Sequence, residues 1–191
     1  NTRRFGASLD KIKQVVEARS GEIMFGLNLV VHKGKTIFVG DTSVHEYPTS
    51  DQLAEIAISA ARVVRLFGFE PKVAFVSHST FGQPLTSRTK HIKNAVEILR
   101  KKKVNFEFDG DMQPDVALNE EYKSLYPFSK IVGNANILIM PGQHSAAISY
   151  KMMKTLGDTK VIGPLLIGLG LPIEIAPLRS STSEILNLAS I

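Results

Sequence analysis

Apolar positions along this chain recur at two periods, and the switches between them predict its elements. Leu9, Ile12, Val15 and Val16 fall at helical spacing and predict a helix over Ser8 to Arg19. Ile23 to Val31 is rich in β-branched and aliphatic residues. A turn at His32-Lys33-Gly34-Lys35 and a return over Thr36 to Val39 complete a hairpin, with His32 expected to face solvent in the turn. Pro48-Thr49-Ser50-Asp51 is a helix-start signal in which Thr49 or Ser50 can cap. Leu53, Ile56, Ala57, Ala60, Val63, Val64 and Phe67 give the helix behind it one apolar face, and Gly68 stops it.

The same reading continues to the end of the chain. Strands are predicted over Lys72 to Val76, Val104 to Phe108, Asn136 to Met140, Val161 to Leu169 and Pro172 to Ala176. Helices are predicted over Ser87 to Lys103, around Asp115 to Tyr122, over Ala146 to Leu156 and over Thr182 to Ala189. Strands that alternate with helices predict an α/β protein, a three-layer α/β/α arrangement around a mostly parallel sheet with one antiparallel hairpin.

Four polar blocks stand where apolar strands are expected to end: Asp41 to His45, Ser77 to Gly82, Asp109 to Asp115, and Met140 to Ser145. Ligands in open α/β sheets bind outside the carboxyl ends of strands, so the blocks mark one rim as the place for chemistry. Small hydroxyls and a glycine in Ser77-His78-Ser79-Thr80-Phe81-Gly82 suit phosphate or carboxylate as well as ordinary helix capping. The block lacks the lysine of a P-loop and the flanking glycines of a hydrolase nucleophile elbow. Asp109-Gly110-Asp111 with Asp115 lacks the ligand ladder of a calcium loop, and Asp115 is expected to cap a helix. No two of the five histidines form a His-x-x-x-His pair, so no metal ligand set is expected.

Composition narrows this picture. A hydrophobic content of 43% over 191 residues allows a full core. The net charge of +5 favours an anionic ligand. The densest basic cluster, Arg100 to Lys103, falls at a helix end, where cations favour the macrodipole, and this argues against nucleic-acid binding. Without cysteine there is neither a disulfide framework nor a thiolate metal site, which fits a cytoplasmic setting. No stretch reaches the ~18 apolar residues of a membrane span. The chain opens on Asn1 with loop chemistry already under way, so it is expected to be part of a longer protein.

Taken in order, Asp41 to Ile58, Pro71 to Gly82, Asp109 to Leu118, Ala135 to Lys151 and Ile162 to Ile175 resemble the phosphotransacetylases, the phosphate acetyl- and butyryltransferases. Within that family the blocks around Val44-His45-Glu46 and Ser77-His78-Ser79 look most like the phosphotransacetylase-like C-terminal region of bacterial hybrid NADP-dependent malic enzymes. The resemblance implies an isocitrate/isopropylmalate-dehydrogenase-like fold. Residues 1–175 would form the second α/β domain of such a module, and 176–191 a segment returning toward a first half-domain upstream. It places NADP and a divalent metal (Mg or Mn) in the upstream malic-enzyme region, with no cofactor in this part. It also implies acetyl-CoA as allosteric effector and a homo-oligomer assembled through these modules.

Departures from the active family bear on activity. Active members carry Ser-Arg-Gly before the last helix and then an aspartate; the arginine is assigned to anionic substrate and the aspartate to base work on the CoA thiol. Aligned back from Asn187, Glu184 stands at the aspartate, Leu178 at the arginine and Pro177 at the serine, while Arg179 lies one residue out of register. Ser145-Ala146-Ala147 stands where the family usually presents an asparagine, and Asp10 lies near a family arginine. Glu184 and Arg179 are thus degenerate counterparts of the catalytic pair. Arg3, Arg4, Ser79, Thr80, Arg179 and Ser180 are the candidate ligand contacts. The expected function is a regulatory acetyl-CoA-binding module, deficient in acetyl transfer. The alternatives are an active phosphate acetyltransferase using Arg179 and Glu184, and a dimerisation scaffold packing through the helix from Ser87 and the Met152-Met153 segment.

Overall fold

The computed structural model describes residues 5–178 and 180–190. Six strands form one sheet: β1 (Phe25–His32), β2 (Lys35–Gly40), β3 (Lys72–Val76), β4 (Glu107–Met112), β5 (Ile137–Ile139) and β6 (Thr159–Ile167). Their spatial order is β4-β3-β5-β2-β1-β6. β2, β5, β3 and β4 pair in parallel, while β1 is antiparallel to both β2 and β6. One strand therefore runs against the other five, as the hairpin signal predicts.

Among the described residues there are seven helices: α1 (Phe5–Val15), α2 (Ser50–Leu66), α3 (Ser87–Lys102), α4 (Pro114–Leu118), α5 (Glu120–Lys123), α6 (Gln143–Leu156) and α7 (Thr182–Ala189). Alternation along the strands divides the core. Phe38, Val73, Phe75, Ile137 and Ile139 face α2 and α3, with Leu53, Ile56, Val64, Ile92 and Leu99 packed on them. Val39, Ala74, Val76 and Leu138 face the opposite way, onto α4 and α6 through Val116, Ala117 and Ala146. The result is three layers. Among the described residues, no helix is long and apolar enough to cross a membrane.

The start of α2 follows its signal closely. Thr49 caps it in a reciprocal capping box with Gln52. The basic cluster ends α3, whose last turn carries Arg100, Lys101 and Lys102.

Several elements and residues differ from the pattern-based expectation. α1 starts earlier and stops at Val15, because the backbone of Glu17 to Arg19 bonds to Gly168 and Gly170 instead. β4 begins later and runs through the third polar block, so Asp109 and Asp111 are strand residues. The helix over 115–122 breaks at Asn119, whose side chain caps α5. Asp115 is no cap, since its carboxylate accepts the N–H of Val116 inside α4. α6 starts at Gln143, which puts His144 and Ser145 in its first turn. Pro172 to Ala176 forms no strand: Pro172 has no N–H to offer, and Glu174 takes the Leu166 N–H of edge strand β6 with its side chain. His32 ends β1 and is half-buried rather than solvent-facing in the turn, its Nδ1 lying 3.0 Å from Thr159 Oγ1.

Candidate functional site

Because β2, β5, β3 and β4 are parallel neighbours, their carboxyl ends bring the four polar blocks to one rim. Buried carboxylates organise that rim. Asp41, 1% exposed, accepts through Oδ1 from the N–H groups of Gly26, Ser43 and Val44. Its Oδ2 accepts the His45 N–H at 2.8 Å and faces His45 Nδ1 at 2.7 Å. Asp111, equally buried, takes the Ser79 hydroxyl on Oδ2 and the Gly82 N–H on Oδ1. Asp109 accepts the Lys130 N–H and lies 3.6 Å from Arg100. These three aspartates spend their carboxylate oxygens on shaping loops. A Ser79-His78-Asp109 triad is excluded, since Ser79 binds Asp111 while His78 is exposed.

Two cavities open at this end of the sheet, with α6 between them. The larger, about 880 Å³, lies among β1, β6, α6 and α7. Asn28, Thr42, Ser43 and Gln143 line it, with Tyr150, Lys151 and Lys154 from α6, Lys160 from β6, and Ser180, Ser181 and Glu184 from the terminal segment. Thr42 Oγ1 donates to Asn28 Oδ1 at 2.6 Å, and Gln143 Nε2 donates to Ser43 O at 3.2 Å. Burial pushes the Tyr150 phenol up from its ordinary value, so it stays a hydrogen-bond donor. The smaller cavity, about 720 Å³, is lined by Glu46, Ser77, His78, Ser87, His144 and Ser145 among others.

The structure divides the sequence-derived candidates. Ser180 and Glu184 meet at the larger cavity. Ser79 is fully buried and bonded to Asp111, and Thr80 accepts the Gln113 N–H beside a separate cavity of about 580 Å³, so neither joins them. Arg3, Arg4 and Arg179 lie outside the described residues. Lys151, Lys154 and Lys160 were not singled out from sequence. Their signal is visible only once α6 is placed: Ala147, Tyr150, Lys151 and Lys154 share its cavity side, while Ile148, Met152 and Leu156 share the exposed one. Met152 and Met153 are accordingly surface residues, 54% and 36% exposed.

Glu184 is held by two sets of donors. Oε1 accepts from Lys154 Nζ at 2.7 Å, and Oε2 accepts the Ser181 N–H at 2.8 Å in the capping box that starts α7. The Lys154 hydrogen bond, then the Ser181 contacts, hold its carboxyl down at about 2. A depressed carboxylate stabilises the fold fully above pH 4.5, its ordinary value here. That contribution declines as pH falls and is gone once pH passes below about 2. The protection factors of the α7 amides, which correct for the intrinsic pH dependence of exchange, should therefore fall between pH 4.5 and 2 in the native chain. Glu184→Gln should flatten that acid limb. An unchanged limb in the variant would assign it to another group.

Comparison with known proteins adds the following. The family model described as "Phosphate acetyl/butaryl transferase" matches residues 2–191. The NADP-dependent malic enzyme of Rhizobium meliloti is 42% identical over 190 residues, covering 100% of this chain and 25% of that protein. The phosphate acetyltransferase of Clostridium acetobutylicum is 38% identical over 157 residues, covering 81% of this chain and 47% of that protein. In structure, a phosphotransacetylase from Streptococcus pyogenes superimposes with a TM-score of 0.90 at 28% identity, over 98% of this chain and 58% of that one. The chain thus spans about a quarter of the malic-enzyme relatives it matches.

Proposed function

This chain belongs to the phosphate acetyl/butaryl transferase family, and from that premise we propose that it is an acetyl-CoA-binding regulatory module of a longer NADP-dependent malic enzyme, deficient in acetyl transfer. The observation that carries the reading is the state of Glu184. It stands where the family resemblance puts the base for the CoA thiol, yet its carboxyl is held at about 2 by Lys154 and Ser181. A base that weak takes up a thiol proton poorly, because efficient proton transfer needs a pKa near the working pH. Leu178, in the position of the family arginine, is an exposed apolar side chain and supplies no charge to an acyl phosphate.

Binding is supported where catalysis is not. The larger cavity is roomy and, among the described residues, carries three lysine ammonium groups against one carboxylate, which suits the phosphates of a coenzyme A. On this reading NADP and the divalent metal (Mg or Mn) belong to the upstream malic-enzyme region, and residues 176–191 lie against the first half-domain. Malate oxidation then responds to acetyl-CoA through the effector's different affinity for two states of the assembly, and a coupling of ~1–3 kcal/mol suffices. A homo-oligomer of these modules in the cytoplasm completes the reading.

The test uses the full-length protein. Calorimetric titration with acetyl-CoA should give saturable heat, and malate oxidation should change with acetyl-CoA at fixed NADP. Transfer between acetyl phosphate and CoA should run at least ~100-fold below an active relative, the loss that a misplaced reacting group causes. Transfer at a relative's rate would instead establish the working acetyltransferase, with Arg179 and Glu184 as its pair. No heat and no response would leave the dimerisation scaffold.

A further inference from the structure

We propose that the Lys154–Glu184 ion pair is a latch between the larger cavity and α7: an anionic group entering the cavity takes up the Lys154 ammonium, and α7, deprived of that tie, loosens from α6. The proposal rests on the reading of this cavity as a coenzyme A site and adds the device by which its occupancy is felt elsewhere.

Three structural features lead there. First, Lys154 belongs to both structures at once. It lines the cavity from the last turn of α6, and its Nζ is 2.7 Å from Glu184 Oε1. Lys151 and Lys160 line the same cavity with no carboxylate partner among the described residues. An anion drawn in by that pair therefore meets a third ammonium that is already engaged.

Second, Glu184 divides its two oxygens between neighbours. Oε1 reaches across to α6, while Oε2 stays with the Ser181 N–H that opens α7. One carboxylate thus joins the helix that walls the cavity to the first turn of the helix that closes the chain. Third, the main packing of α7 is against β6, and it is light. Leu188 is its one buried residue, and Ile185 and Leu186 are 47% and 64% exposed.

The physics of exchange is simple. A phosphate seated against Lys154 places two anions around one ammonium, and like charges at that distance repel. Glu184 then keeps only its capping contacts. The ligand favours the loosened state because Lys154 serves it better there, which is the differential affinity any ligand-driven shift requires.

Hydrogen exchange on the full-length protein, with coenzyme A as the probe, tests the latch. Saturating coenzyme A should speed exchange across Thr182 to Ala189 by about two- to five-fold, the range one surface ion pair supports. Lys154→Met should show that faster exchange without ligand and gain nothing more on adding it. Glu184→Gln, which keeps the side chain's shape, should behave the same way. If wild-type protein binds coenzyme A calorimetrically while α7 exchange stays unchanged, the latch is wrong and the binding reading stands. If both variants exchange like wild type without ligand, the ion pair does not tie α7 and the latch is wrong regardless of binding. If coenzyme A gives no heat at all, the binding reading falls and takes the latch's trigger with it.

Discussion

Asp41→Ala should lower the free energy of unfolding by about 3–5 kcal/mol, because it strands several buried donors at once. The carboxylate collects the N–H groups of Gly26, Ser43, Val44 and His45, and His45 Nδ1 lies 2.7 Å from it. Gly26 comes from β1 and the others from the block after β2, so one side chain fastens the hairpin's two strands where the rim begins. Alanine offers no acceptor, and water does not reach a site 1% exposed. Asp41→Asn keeps the shape and one acceptor oxygen, so it should cost about half as much. Urea denaturation followed by circular dichroism reads both. A loss under ~1 kcal/mol for Asp41→Ala would mean that the block holds its shape without the carboxylate.

The same variant should damage ligand uptake. Thr42 and Ser43 line the larger cavity, and Glu46 and Tyr47 the smaller, so the segment that Asp41 orders borders both. Calorimetric affinity for acetyl-CoA should fall even at temperatures where Asp41→Ala remains folded. That separates a wall held in place from a wall that merely exists.

How much of this was legible beforehand depends on how far apart in sequence the causes lie. The capping box at Thr49 and Gln52, the hairpin, and the apolar faces of α2 and α3 are set by neighbours within a few residues, and their patterns announce them. The placement of three polar blocks just past β2, β3 and β5 follows equally directly, since strand ends are marked by where alternation stops. The third block misleads for a physical reason. Asp109 and Asp111 look like loop residues, yet donors from Lys130, Ser79 and Gly82 let β4 carry them as buried strand positions. Those donors lie 21 to 32 residues away, beyond any local pattern.

The candidate site shows the same divide. Glu184 and Ser180 are found through the family resemblance, and they do share a cavity. Ser79 and Thr80 have the right chemistry for an anion, but Ser79 gives its hydroxyl proton to Asp111 and Thr80 lies beside a separate cavity. Lys154, 30 residues from Glu184, becomes visible only when the fold brings the last turn of α6 within reach of the first turn of α7. Residue type proposes chemistry; the neighbour that occupies the last hydrogen bond decides whether it is available.

Gly110→Ala should cost about 3–5 kcal/mol and test that neighbour rule at its tightest point. Gly110 pairs with Phe75 across β3 and β4, and it adopts a φ of +150° that side-chain-bearing residues rarely take. A methyl group there would stand 2.7 Å from both Phe75 Cβ and Phe75 O, against backbone that cannot give way without separating the strands. Asp109 and Asp111 flank the position, so separation would pull both carboxylates from the loops they hold. Gly34→Ala is the matched control, with φ at +77° in the hairpin turn and open space around it. It should lose only the ~1–2 kcal/mol of backbone strain. Equal losses from the two variants, compared by urea denaturation, would place the whole effect in φ. A larger loss at Gly110 assigns the excess to the close approach of β3 and β4, and makes that spacing the reason two aspartates in a strand can serve two loops.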